Sequence, residues 1–325
     1  MADKNLIEAI NAGLHQAMAA DARVVALGED IGKLGGVFRA TKGLLEAFGP
    51  DRVIDTPLSE GGIVGTAIGM AMYGLRPVVE IQFSDFIFPA FDQIVNELAK
   101  LRYRSGGEYT APLVIRTPVG GGVKGGLYHS QSPEALFLHV PGLRVAYPSD
   151  PADAKGLLLS AIQSEDPVLF FEPKRIYRAV RGEVPDDAVP VPFGEARIVR
   201  PGTQLTVVAW GAMLHEAIKA CEDAAQRGFD CELIDPRTLC PFDHDAIADS
   251  VRKTGRLLVV HEAPKTAGFA AEIITSVLER AFYSLEAAPA RVTGLDTPFP
   301  YAQEQAYLPL APRILDGIER VLREV

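Results

Sequence analysis

The chain has 325 residues, 48% of them hydrophobic and 23% charged, with a formal net charge of −10 and a pI near 5.2. That is the composition of an ordinary globular chain long enough for two domains, each with its own sizeable core. The acidic balance, with no Lys/Arg run to offset it, argues against nucleic acid as a partner, because a phosphate backbone would be repelled.

Taken in chain order, the N-terminal stretch MADKNLIEAINAGLHQAMAADARVV mixes charges and lacks the basic-then-apolar pattern of a secretory signal. No run of about 18 apolar residues follows anywhere, so no membrane span is expected. Short β-rich runs then alternate with helical stretches, the pattern of parallel α/β layers. The expected strands are RVVALG (23–28), PVVEIQF (77–83), PLVIRTP (112–118), LRVAYP (143–148) and PVLFFEP (167–173). Between the first two lies a glycine-rich apolar segment, 61–75, which reads as a close-packed internal helix. FPAFDQIVNELAKLR (88–102) spaces Phe91, Ile94, Val95, Leu98 and Leu101 for one helical face. Ser149-Asp150-Pro151 opens a further helix.

A proline-rich run, 181–204, reads as a linker with room for an edge strand. Strands at 205–211, 231–236, 256–264 and 290–295 follow, separated by helices at 213–227, 243–253 and 268–285 and closed by a terminal helix. The expected architecture is therefore two open α/β sheets. Cys221, Cys231 and Cys240 are odd in number and form no CxxC pair, which reads as reduced thiols in a cytoplasmic protein with no cysteine-based metal site.

Four segments carry candidate chemistry. LGED ends a strand with Glu29 and Asp30. DTPLSEGG places Glu60 at the head of the apolar helix, where Ser59 and Thr56 are candidate caps. On pattern alone, an acid in a first turn is explained by capping. QFSDFIF sets Gln82, Asp85 and Phe86 at a strand end, where ligands of open α/β sheets bind, although a core role explains them equally. GLYHSQSPEALF puts His129 in a loop before a helix expected to start at Ser132-Pro133-Glu134. A helix dipole there would keep the imidazole neutral, and a backbone-bonded loop histidine is the plainer alternative. GGGVKGG (120–126) formally satisfies G-x-G-x-x-G, but no helix follows at once and the Walker pattern fails. It reads as a flexible loop beside a site rather than a dinucleotide cradle.

These same segments carry a resemblance. LGEDIGKLGGVFRATKGL, DTPLSE, EIQFSDFIFPAFDQIVNELAKLRYRSGG, GGLYHSQSPEA, PSDPADAKGLLLSAI, FFEPKRIYR and LDTPFPYAQEQAYLP together resemble the beta subunit of the thiamine diphosphate-dependent 2-oxo acid dehydrogenase component, from residue 5 to the C-terminus. The resemblance implies a transketolase-like pyrimidine-binding domain over 1–182, a linker over 183–204 and a transketolase C-terminal domain over 205–325. It implies that Glu60 contacts a ring nitrogen of the cofactor's aminopyrimidine, favouring the tautomer that activates the thiazolium carbon, in an apolar pocket that strengthens the bond. It further implies that Phe86 stacks on the pyrimidine and that Glu29, Leu58, Ser59 and Gln82 line or bond the cofactor. His129 would face the substrate, with Phe83, Ser84 and Asp85 as pocket wall.

No GDG motif occurs in the chain, so Mg2+ is expected mainly from an alpha subunit in an alpha2beta2 heterotetramer. The C-terminal domain would dock a dihydrolipoyl acyltransferase core. Some relatives hold a structural potassium ion near PLVIRTP and SEDP, where Val114 here offers no side-chain oxygen. HSQSPEA and FFEPKRIYR are most similar to branched-chain subunits, because pyruvate-specific relatives more often carry an acid where Gln131 stands. Pyruvate and acetoin dehydrogenase beta subunits remain the alternatives. From other classes, an NAD-binding dehydrogenase and a non-catalytic assembly subunit remain too.

Overall fold

The computed structural model describes residues 1–323. Its first helix, Leu6–Ala20, is absent from the sequence reading, yet the chain specifies its start. The Glu8 amide donates to Asn5 at 3.0 Å and the Asn5 amide to Glu8 at 2.8 Å, a reciprocal cap. Its apolar stripe, Leu6, Ile10, Leu14 and Met18, packs on helix Pro151–Gln163. That second helix starts as expected, with the Asp153 amide donating to the Asp150 side chain and Pro151 in the first turn.

Among the described residues the strands form two larger sheets and one small one. In spatial order the first sheet runs Thr238–Cys240, Arg144–Ala146, Val168–Pro173, Val114–Val119, Arg76–Glu80, Val24–Gly28, Val53–Asp55. All pairings are parallel except that of Thr238–Cys240 with Arg144–Ala146. Central strands such as Val24–Gly28 and Val168–Pro173 are buried along their whole length, as parallel strands covered on both faces must be. The second sheet runs Ala290–Gly294, Leu257–Pro264, Leu205–Ala209, Cys231–Asp235, Arg197–Arg200, with only the last pairing antiparallel. Both are open α/β sheets. Thr238–Cys240 lies in the stretch expected to belong to the second sheet, but it extends the edge of the first and laces the halves together. In the proline-rich run, Arg181–Val184 pairs with Ala2–Asn5 and Arg197–Arg200 supplies the edge strand.

Three local expectations change. Residues 88–102 are not one regular helix: a 3-10 turn at Phe88–Ala90 leads into a widened π-helical stretch, Gln93–Leu98, and then Leu101–Arg104. The Ala99 amide reaches back to the Ile94 carbonyl at 3.0 Å, the five-residue step of a π turn. Ser132 caps nothing, since the helix begins at Glu134 and spans one short turn, Glu134–Leu138. The helix Glu60–Met72 is close-packed on one side only. A Cβ at Gly61 would stand 2.9 Å from the Pro89 carbonyl oxygen, which explains the glycine there. Its other face, with Gly62, Thr66, Gly69 and Met72, is open, and the following Tyr73 is 93% exposed. Among the described residues no helix is long and apolar enough to cross a membrane.

Candidate active site

Four neighbouring strands end on the same side of the first sheet, and each leads directly into one candidate segment. Gly28 is in register with Asp55 on one side and Glu80 on the other, and Glu80 with Arg116. The segments beginning at Glu29, Thr56, Ile81 and Gly120 therefore leave the sheet side by side, at the position where open α/β sheets bind ligands.

Glu60 is the first residue of its helix and is only 8% exposed. Among the described residues its carboxylate accepts no hydrogen bond, which leaves its acceptor capacity free. Ser59 precedes it without a capping bond. Glu29 shares the same space. Burial pushes its carboxyl above the ordinary glutamate range, and the Glu60 and Asp30 charges push the same way. The Gln82 amide lies within 3.5 Å of the Glu29 carbonyl and 3.4 Å of the Asp30 carboxylate.

Opposite these acids sits an aromatic wedge. The His129 ring meets Phe83 edge-on at 4.7 Å between centroids and Phe86 at 5.3 Å, while Phe83 and Phe86 are 5.7 Å apart. Among the described residues neither ring nitrogen of His129 finds a hydrogen-bond partner, so the backbone-bonded reading of this histidine does not hold in the fold. Ser84 and Asp85, expected as pocket wall, bond to backbone. Ser84 is fully buried and donates to the Gln131 carbonyl at 2.9 Å. Asp85 accepts from the Ser130 and Gln131 amides at 3.2 and 3.3 Å. Both fasten the backbone just after His129. Leu58, two residues before Glu60, is 79% exposed.

Beneath the site lies an ionic triad. Arg116 donates to Glu172 through Nε at 2.7 Å and Nη2 at 3.1 Å, and to Glu80 through Nη1 at 2.9 Å. Burial alone would lower the guanidinium pKa, but the two carboxylates outweigh it and hold it above the usual arginine value. Tyr177 adds its hydroxyl to Glu172. Sequence reasoning missed this group, although one charged residue inside each of the runs VVEIQF, VIRTP and LFFEP was a readable sign.

Sequence reasoning also missed what holds the glycine loop, which is anchored rather than free. The Gly121 amide donates to Glu262, the Gly122 and Lys124 amides to Glu304 at 3.0 and 3.1 Å, and Lys174 Nζ to the Gly120 carbonyl. Carboxylates occupy the amides that a phosphate would need. Lys174 is buried, which pushes its pKa down to about 8 against the opposing charges of Glu262, Asp85 and Glu304. Beyond the loop opens a largely apolar cleft of about 590 Å³, lined by Tyr128, Gln131, Ser132, Pro264, Phe299 and Tyr307. Glu60, Gln82, Phe86 and His129 do not line it. Close by, burial pushes the Glu134 carboxyl up to about 8, and the Glu262 charge adds to the effect. The three cysteines are free thiols, two of them buried. Among the described residues no group of three or more His, Cys, Asp or Glu side chains is arranged to hold a metal ion.

Comparison with known proteins places this geometry. Residues 3–180 match the family model "Transketolase, pyrimidine binding domain", and residues 194–314 match "Transketolase, C-terminal domain". The chain is 55% identical to the mitochondrial 2-oxoisovalerate dehydrogenase subunit beta 2 of Arabidopsis thaliana, over 97% of this chain and 88% of that one. It is 46% identical to the 2-oxoisovalerate dehydrogenase subunit beta of Bacillus subtilis (strain 168), over 100% and 99% of the two chains. It is also 52% identical to the pyruvate dehydrogenase E1 component subunit beta of Leifsonia xyli subsp. xyli (strain CTCB07), over 98% and 94%. A split-gene transketolase solved as an inactive beta4 tetramer superposes with a TM-score of 0.79 over 98% of each chain, at 22% identity, which speaks for the fold alone. With a buried, unpartnered acid at its sheet end and relatives of this identity over nearly the full length, the chain belongs to the transketolase-like family of 2-oxo acid dehydrogenase beta subunits.

Proposed function

We propose that this chain, assembled with an alpha subunit as alpha2beta2, oxidatively decarboxylates branched-chain 2-oxo acids with thiamine diphosphate. The acyl group then passes to lipoyl-lysine of a dihydrolipoyl acyltransferase core. The observation that carries the reading is Glu60, a buried carboxylate with no protein donor at the mouth of a sheet-end site. A nitrogen heterocycle that shares a proton with the acid fits that vacancy in the hydrogen bonding. Phe86 would offer its ring to the pyrimidine. Leu58, Ser59, Gln82 and Glu29 would line or bond the cofactor, and His129 with Phe83 would face the substrate. Ser84 and Asp85 act on it through the backbone they fasten.

When bound, the cofactor supplies the carbon nucleophile for the keto group and the electron sink for decarboxylation. Glu60 holds the proton at the pyrimidine nitrogen. His129 orients the 2-oxo acid and moves a proton through a ring nitrogen during acyl transfer. Mg2+ would be held mainly by the alpha subunit, since this chain has no GDG motif. The open helix face of Gly62, Thr66 and Gly69, and Leu58 beside the site, are surfaces suited to close packing by other subunits.

Similarity to several 2-oxoisovalerate dehydrogenase beta subunits and the HSQSPEA segment support branched substrates. The pyruvate dehydrogenase relative at 52% identity makes pyruvate the second reading. The test purifies the chain with its copurifying partner and measures oxidation of 3-methyl-2-oxobutanoate and pyruvate with an artificial electron acceptor. A preference for the branched acid, dependent on the partner, is expected. Preference for pyruvate would overturn the substrate, and turnover by this chain alone would overturn the division of labour.

A further inference from the structure

The segment from the end of strand Val114–Val119 to His129 is held from two sides. On its C-terminal side Ser84 and Asp85, from the same half of the chain, fasten Ser130 and Gln131. On its N-terminal side the fastening comes from the other half. Both oxygens of Glu304 accept backbone amides, Gly122 at 3.0 Å and Lys124 at 3.1 Å, and Glu262 accepts from Gly121. The Gly120 amide donates to the Gln131 carbonyl at 3.0 Å, closing the segment into a loop with His129 two residues from the closing end.

Two features show that this loop is tightly constrained. Lys124 has φ of 55°, left-handed backbone that a non-glycine residue adopts only when its surroundings impose it. Gly122, at φ of 103°, lies so close to Arg175 that a Cβ would stand 2.7 Å from its Cα. The next residue transmits the constraint. Gly125 lies directly on His129, and a Cβ there would stand 2.5 Å from the His129 Cβ. The turn that carries Glu304, Glu304–Tyr307, is itself pinned, because Arg313 donates to the Tyr307 and Leu308 carbonyls at 2.9 Å each and to the Thr293 carbonyl at 2.8 Å.

We propose that Glu304 is a positioning residue for His129: by holding the Gly122 and Lys124 amides it fixes the backbone on which the imidazole rests. The proposal rests on the functional reading of His129 given above. It makes the second half of the chain a participant in the site without any side chain of its own there.

The test uses the assembled enzyme carrying E304A, E304Q, H129A and the double variant H129A/E304A. Acylation of a lipoyl domain and amide exchange over residues 120–131 are both followed. E304A is expected to slow acylation about ten- to hundredfold, the scale of a misplaced reacting group, and to speed exchange at 122–131. E304Q, which keeps one acceptor oxygen, should lie between it and the parent. In the H129A background E304A should cost nothing more, because a positioning residue has no effect once the group it positions is gone. E304A at the parent rate, or effects that multiply in the double variant, would overturn the proposal while leaving the role of His129 standing. H129A at the parent rate would overturn both.

Discussion

Glu60 and Glu80 lie at the same end of the same sheet and are buried alike, 8% and 7% exposed. Their surroundings differ in one respect. Arg116 reaches Glu80 at 2.9 Å and binds Glu172 through two more bonds, so both carboxylates share one cation. Nothing in the described chain answers Glu60. One carboxylate is held by a neighbour that is always present; the other keeps its acceptor capacity for a group that comes and goes. The difference separates a structural acid from a functional one where burial by itself does not.

The widest separation between the two comes from activity. E60Q in the assembled enzyme is expected to lower 2-oxo acid oxidation by about 10²–10⁴-fold, while the thermal midpoint stays about level, since no hydrogen bond within the described chain is lost. Steady-state rates and a melting curve of the same preparation decide it. A retained rate would make Glu60 a mere first-turn acid and erase the contrast. R116M should do the reverse, lowering stability by about 3–5 kcal/mol by leaving two buried carboxylates unpaired. Denaturant unfolding reads this directly, and adding E80Q and E172Q to R116M should restore part of the loss. A third buried acid, Glu134, sharpens the comparison through pH. Its carboxyl is pushed from 4.5 to about 8, so the folded chain keeps a proton that the unfolded chain has lost. Its contribution is therefore full below about pH 4.5 and is lost as pH rises toward 8. E134Q should gain on the parent in thermal midpoint between pH 5 and pH 8. A pH-independent difference would contradict the burial argument.

Much of the site was legible before folding because parallel strands make it so. Once RVVALG, PVVEIQF and PLVIRTP are read as strands, Glu29, Gln82 and the approach to His129 must emerge at one sheet end, whatever the loops do. The edge strand Val53–Asp55 escaped notice, since three residues show no period. The backbone role of Ser84 and Asp85 is hidden for a different reason: the resemblance implies pocket wall, and only the fold reveals that the Ser130 and Gln131 backbone stands within bonding distance. The glycine loop reads as flexible in sequence for the same reason: the acids that hold its amides lie more than 140 residues further along.

What the sequence determined by itself was local or repetitive: α/β alternation, the reciprocal cap at Asn5 and Glu8, the Asp150-Pro151 helix start, and an acid set before a glycine-rich helix. These depend on interactions within a few residues and on periodicity, so they survive without knowledge of the rest of the chain. Only the tertiary structure decided which buried charges are paired, that Thr238–Cys240 joins the first sheet, and that the second half holds the His129 loop by its amides. Partnership of that kind is set by distance in space between groups remote in sequence, and no local pattern encodes it.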